Sequence, residues 1–237
     1  MKKKAVCLLS GGLDSCVTIF LAKDLGYDVY ALSFRYGQRH AKELLCAKRV
    51  AHAVGAKEHI VFDLPLNRFG GSALFASTAK KIRDHPLNEI GRTIPPTYVP
   101  ARNTVFLSLA LAYAEALDAE AILIGANAVD YSGYPDCRPE YIAAFQKLAA
   151  LATQQGVRGK KVRIVAPLLR LSKAEIVKTG VKLHVPFETT WSCYRGGAKA
   201  CGTCDSCLLR LKGFQEAGVK DPIEYTSVPP WYSDGSQ

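Results

Sequence analysis

The chain lacks an apolar run long enough to cross a bilayer. Its longest apolar stretch, residues 105–117, is interrupted by Ser108 and Glu115, whereas a spanning helix needs about 20 apolar residues. The opening Met1-Lys2-Lys3-Lys4 is followed by only five apolar residues, 5–9, too few for the core of an export signal. Eight cysteines without such a signal read as reduced thiols and metal ligands, not as disulfides. A cytoplasmic protein is therefore expected. No Gly-Lys-Ser/Thr completes a Walker loop and no GxGxxG is present, which removes two common phosphate-binding signatures. Nor is there a basic stripe. The net charge is +10, but the only lysine runs are Lys2-Lys3-Lys4, Lys80-Lys81 and Lys160-Lys161. Scattered positive charge without interleaved aromatics favours a site for anionic small molecules over a nucleic-acid groove. No nucleic-acid or membrane partner is expected.

What is present begins with Ser10-Gly11-Gly12-Leu13-Asp14-Ser15. An apolar run precedes it and a helix-periodic run, residues 16–22, follows, so the order reads strand, glycine turn, helix. Glycine lets the backbone turn tightly and approach a ligand closely. The helix behind it presents free N–H groups and the positive end of its dipole, a setting that binds phosphate. Ser10 and Ser15 add hydroxyl groups. Asp14 repels a bare phosphate and is expected to hold Mg²⁺ on one. The motif resembles the Ser-Gly-Gly-x-Asp-Ser pyrophosphate loop of the ATP pyrophosphatases. Those enzymes split ATP between its α and β phosphates to activate a substrate oxygen as an adenylate. The resemblance implies that ATP lies along Leu8, Leu9, Ser10, Gly11, Gly12, Leu13, Asp14 and Ser15.

The length of 237 residues and 49% hydrophobic content suit one large α/β domain with a small appendage. Periodicity predicts strands over 4–9, 28–34, 59–62, 121–125 and 162–166. It predicts helices over 15–25, 38–54, 102–117, 139–155, 173–179 and 206–215. This alternation specifies a doubly wound, mostly parallel sheet with ligands at the carboxyl ends of its strands. The link over 64–99 has no periodicity, and its length suggests a lid or a partner-binding segment. The expected division is an α/β domain over 1–183, a zinc-binding helical and loop region over 184–226, and a tail over 227–237.

Cys193, Cys201, Cys204 and Cys207 follow the spacing C-x7-C-x2-C-x2-C. Four thiolates so close in sequence fit a tetrahedral Zn²⁺ with no open position, hence a structural site. Gly196-Gly197 and Gly202 supply the turns, and Asp205 is expected to cap the helix over 206–215. The rival is an iron–sulfur cluster, although no proline follows Cys207. Cys7, Cys16 and Cys46 lie on apolar faces and read as core residues. Cys137 stands in a polar loop among candidate ligand groups.

Several segments together are similar to one family, the 7-cyano-7-deazaguanine synthases. They are Phe34-Arg35-Tyr36-Gly37-Gln38-Arg39-His40, Val99-Pro100-Ala101-Arg102-Asn103, Ser132-Gly133-Tyr134-Pro135-Asp136-Cys137-Arg138 and the C-terminal cysteines. The resemblance implies an adenine nucleotide alpha hydrolase-like fold with structural zinc. It implies a ligase that makes the nitrile precursor of queuosine from 7-carboxy-7-deazaguanine, ammonia and ATP. Its pyrophosphate loop is shared with GMP and NAD synthetases and tRNA thiolases. The alternative is thus a tRNA-modifying enzyme of the thiolase or lysidine synthetase type. Two positions depart from the family pattern: Arg35 stands where an acid is common, and Ala101 where glycine is. Arg35 is expected to alter charge near the nucleotide.

Asp14, Arg102 and Lys173 are the catalytic candidates. Arg102 opens a helix and offers a fork to the α-phosphate or the substrate carboxylate; Lys173 follows the Ser172 cap and reaches for pyrophosphate. Arg39, His40 and Asn103 sit in the matching segments as substrate contacts. The loop around Tyr134 is expected to read the purine-like base. Asp130 and Asp136 would accept from its guanine-like edge, with Asp136 preferred. Tyr131 and Tyr134 would stack, and Ser132 and Arg138 complete the loop. A homodimer is compatible with the sequence, which does not specify oligomeric state.

Overall fold

The structure, a computed structural model, describes residues 3–39, 42–79, 81–82, 84–127 and 133–233. Five parallel strands form one sheet in the order β3-β2-β1-β4-β5. They are β1 (Lys4–Leu8), β2 (Asp28–Arg35), β3 (Glu58–Asp63), β4 (Ala121–Leu123) and β5 (Arg163–Val165). Both faces of the central strands are covered, which is why β1 reads as a continuous apolar run rather than an alternating one. Ala5, Cys7 and Leu9 point into one core with Val29 and Ala31 of β2. Val6 and Leu8 point into the other with Leu32 and Phe34.

The first core is closed by α1 (Leu13–Asp24), α2 (Lys42–Ala53) and α5 (Lys173–Lys182), and Phe214 of α6 (Asp205–Ala217) joins it. The second is closed by α3 (Arg102–Ala116) and α4 (Pro139–Ala152). β1 lies between β2 and β4, so the order of the strands reverses there. That reversal leaves a crevice beyond the carboxyl ends, where the glycine loop sits.

Most element boundaries shift by one to a few residues from the sequence reading, and the shifts around the site matter for it. α1 starts at Leu13, not Ser15, so Asp14 lies in its first turn with Gly12 as N-cap. α2 is described as Lys42–Ala53, and Gln38 lies outside it. Gln38 is held in an antiparallel bridge to Phe75, and its side chain accepts from the Tyr36 N–H at 2.8 Å. The N-cap of α6 is Cys204, so the expected capping role of Asp205 is corrected. The Asp205 carboxylate instead faces Nδ1 of His85 at 3.0 Å.

His85 belongs to the 64–99 link, whose described residues carry one 3-10 turn, Leu66–Phe69. The link is stitched to itself and to the body of the protein. Ala73 N–H donates to Pro96 O at 2.7 Å, Ser72 Oγ to Thr97 O at 3.0 Å, and Asp84 pairs with Arg195. Among the described residues no helix is long and apolar enough to cross a membrane.

Candidate functional site

A cavity of about 260 Å³ opens at the carboxyl ends of β1, β2 and β4. Its floor is the glycine loop. Gly11 has φ +84°, and a Cβ there would lie 2.1 Å from Glu43 O and 2.7 Å from Ala47 N. Only glycine lets the loop rest against the start of α2. The loop is ordered by its own hydroxyls. Ser15 Oγ donates to Gly12 O at 3.0 Å, and Gly12 N–H donates to Ser10 Oγ at 3.2 Å. Backbone N–H groups at the start of α1 are thus set in place before any ligand arrives.

Lys173 Nζ lies 2.8 Å from both oxygens of Asp14, placing a cation and an anion beside the loop. The capping box of Ser172 and Glu175 fixes the turn that carries Lys173. Arg102 enters from α3 and donates to the Tyr36 hydroxyl at 3.4 Å. Its guanidinium lies 5.7 and 5.9 Å from the Tyr36 and Phe106 ring centroids. Burial works against its charge. Tyr36, Tyr134, Asp136 and Cys137 around it prevail, so its pKa is raised and it stays a cation.

The structure brings Leu8, Leu9, Ser10, Gly12, Leu13, Asp14, Ser15, Arg39, Arg102, Asn103, Tyr134 and Lys173 to the cavity wall. Arg39 is held by Ala73 O, to which its Nε donates at 2.8 Å. Tyr134 lies with its hydroxyl 3.2 Å from Thr97 Oγ1. Asp136 and Arg138 do not line the wall. Asp136 is buried, and its Oδ2 accepts from the Asn103 N–H at 2.8 Å, so it caps α3 from outside that helix. Arg138 is exposed at the N-cap of α4. Arg35 is also off this wall, in an exposed pair with Asp63 at 2.6 Å, so its expected influence on the nucleotide pocket is corrected. His40, Asp130, Tyr131 and Ser132 lie outside the described residues.

Glu43 and Trp191 line the cavity without having been singled out in the sequence. Trp191 N–H donates to Gly11 O at 2.9 Å, and Lys42 Nζ sits 3.3 Å from the centroid of its ring. Burial pushes the Glu43 carboxyl up to about 7, and the charge of Arg102 works against that rise. The available signal for Glu43 was an acid in the first turn of a helix that follows a strand's carboxyl end.

Cys193, Cys201, Cys204 and Cys207 place their sulfurs within 4.8 Å of one another. A tetrahedral metal with bonds of about 2.3 Å sets sulfurs roughly 3.8 Å apart, and Cys201 Sγ and Cys207 Sγ are 3.9 Å apart. The N–H groups of Cys201 and Cys204 donate to Cys193 Sγ at 3.4 Å and Cys201 Sγ at 3.3 Å. Such donors stabilise thiolates. The four residues fit a closed, metal-binding site.

Residues 4–218 match the family described as queuosine biosynthesis protein QueC. The 7-cyano-7-deazaguanine synthase of Desulfatibacillum aliphaticivorans is 57% identical over 227 residues, covering 94% of this chain and 97% of that protein. The enzyme of the same name from Thermosynechococcus vestitus is 54% identical over 228 residues, covering 96% and 98%. Among solved structures, an NMN synthetase from Francisella tularensis aligns with a TM-score of 0.47 at 21% identity, covering 84% of this chain and 67% of that one.

Proposed function

The chain belongs to the queuosine biosynthesis protein QueC family, and from that premise we propose that it converts 7-carboxy-7-deazaguanine and ammonia to 7-cyano-7-deazaguanine, with ATP as the activating reagent. The observation that carries this reading is the preformed glycine loop at the strand-order reversal, facing Arg102 across one cavity. A carboxylate is a poor electrophile, and adenylation removes that obstacle. The substrate carboxylate attacks the α-phosphorus, giving an acyl-adenylate and pyrophosphate. N–H groups of the loop and Lys173 stabilise the leaving pyrophosphate, while Arg102 orients the α-phosphate and the carboxylate. Asp14 would hold Mg²⁺, which neutralises phosphate charge when bound. Ammonia then displaces AMP to leave an amide. A second adenylation, at the amide oxygen, releases pyrophosphate and one N–H proton, and departure of AMP with the remaining N–H proton leaves the nitrile. The cysteine cluster would hold Zn²⁺ for stability. Eight cysteines, none of them in a disulfide, are compatible with a reducing cytoplasm.

The test is a product assay with 7-carboxy-7-deazaguanine, ammonium and ATP. Mass spectrometry should find the nitrile, and chromatography should find AMP and pyrophosphate. Stoichiometric ADP would mean phosphoryl rather than adenylyl activation.

A further inference from the structure

The cavity wall holds two carboxylates among the described residues, Asp14 and Glu43. Asp14 is matched by Lys173. The Glu43 carboxylate makes no hydrogen bond or close ion pair with another described residue. Glu43 is half-buried on the wall of the cavity, and a carboxylate partly withdrawn from water without protein donors is costly. Such a group is retained where a ligand brings the missing N–H groups.

Its surroundings say which ligand. The Glu43 backbone touches Gly11 of the loop. Arg102 lines the same cavity from α3, and its charge favours the ionised form of Glu43. Tyr36, whose hydroxyl accepts from Arg102, lines the same cavity. Lys42, its neighbour on α2, is turned away, donating to Gly197 O and Ala198 O and lying over the Trp191 ring. Glu43 thus stands beside the loop for the phosphates and the arginine for the reacting carboxylate. On the adenylation reading, the acyl carbon would lie between these two groups, within reach of a donor held by Glu43. Ammonium is small, cationic and made of N–H donors.

We propose that Glu43 is the ammonium-binding residue of the amidation step and the base that takes its first proton; this rests on the adenylation reading above. Ammonium gives one proton to a Glu43 oxygen. The freed nitrogen lone pair forms the C–N bond at the acyl carbon of the adenylate. The C–O bond to AMP breaks, and its electron pair leaves on the phosphate oxygen. A second proton leaves the nitrogen as the adduct collapses and is taken by the departing AMP. Acyl-adenylate and ammonium thereby yield amide, AMP and two protons, and Glu43 returns its proton to water. The same carboxylate is placed to accept the N–H proton lost when the activated amide becomes nitrile.

Glu43→Gln keeps the shape and removes the charge and the basicity. Two reactions are to be followed in wild type and variant: pyrophosphate exchange into ATP driven by 7-carboxy-7-deazaguanine, which reports adenylation, and ammonium-dependent amide formation. Glu43→Gln is expected to exchange pyrophosphate within a few-fold of wild type. Its KM for ammonium should rise at least about 10-fold, and its kcat for amide formation should fall about 10²- to 10⁴-fold, the usual contribution of a positioned base. Glu43→Asp should recover part of that loss. Wild-type ammonium KM and amide formation in Glu43→Gln would overturn the assignment. So would equal losses of exchange and amidation in a variant whose melting is unchanged. Absence of substrate-driven exchange in the wild type would instead overturn the adenylation reading, and the assignment with it.

Discussion

At the scale of single residues, Ala101 carries the clearest backbone strain near the site. It is the N-cap of α3, with φ 52° and ψ 24°. An L-residue in this left-handed region loses roughly 1–2 kcal/mol relative to its relaxed geometry, and the family pattern places glycine here. Ala101→Gly should therefore stabilise the protein by about 0.5–1 kcal/mol, after part of the gain is offset by the freer unfolded chain. A thermal melt reads it directly, and a lower midpoint would show that Ala101 is not strained. Asp136 makes a contrasting case. Its type and its loop suggested a reader of the base edge, but a residue's direction is not written in its type. The carboxylate turns inward to the Asn103 N–H. Asp136→Ala should cost about 1–2 kcal/mol of stability through the lost cap. Asp136→Asn retains an acceptor oxygen and should keep both stability and the rate of nitrile formation near wild type. A rate loss with unchanged melting would return Asp136 to the substrate.

Among the elements, α5 does two things at once, and its first residues separate them. Ser172 Oγ accepts from Glu175 N–H, and the Glu175 carboxylate accepts from Ser172 N–H at 2.7 Å. The next residue is Lys173, whose stem is gripped by α6: a Cβ on Gly213 would lie 2.4 Å from Lys173 Cγ. Ser172→Ala should cost about 1 kcal/mol and raise the KM for ATP more than it changes binding of the deazapurine, because only the cation beside the loop is displaced. Equal effects on both would mean that the cap does not position Lys173. Such local devices were readable in the sequence. Ser172 is followed by Glu175, a glycine turn stands between an apolar and a periodic run, and the cysteine spacing marks a metal site. The strand and helix alternation was readable for the same reason, since period and turn chemistry are local. What could not be read depends on distant partners. Gln38 leaves α2 because Phe75 pairs with it, and Asp205 leaves its cap because His85 arrives from the 64–99 link. Glu43 and Trp191 become site residues only once Gly11 is packed against both of their backbones.

On the scale of the whole molecule, the cysteine cluster is where separate parts of the chain converge. The 64–99 link reaches it through Asp84–Arg195 and His85–Asp205. The C-terminal segment crosses it, with Ala200 N–H donating to Glu224 O at 2.9 Å and Thr226 N–H to Ala200 O at 2.7 Å. Behind it, Arg210 is buried with Asp221, its Nε and Nη2 donating to the two carboxylate oxygens at 2.7 and 2.8 Å. A buried charge pair of this kind is sound only while both partners stay in place. From the same region Trp191 reaches across to Gly11 O. A metal on the four sulfurs would thus hold the C-terminal segment, the long link and, through Trp191, the phosphate loop. Elemental analysis should find one zinc per chain; iron with inorganic sulfide would replace that reading with a cluster. Removing the metal with a chelator under reducing conditions removes binding energy that is also folding energy. The melting midpoint should fall by on the order of 10 °C, since each kcal/mol shifts a domain of this size by about 2–4 °C. Well below the new midpoint, where the chain is still folded, ATP should bind about 10-fold more weakly, because the loop has lost its support from Trp191. Restoring zinc should recover both. If the metal-free protein melts lower but binds ATP as before, the cluster stabilises the C-terminal region without reaching the loop. If neither changes, the four cysteines do not hold a structural metal.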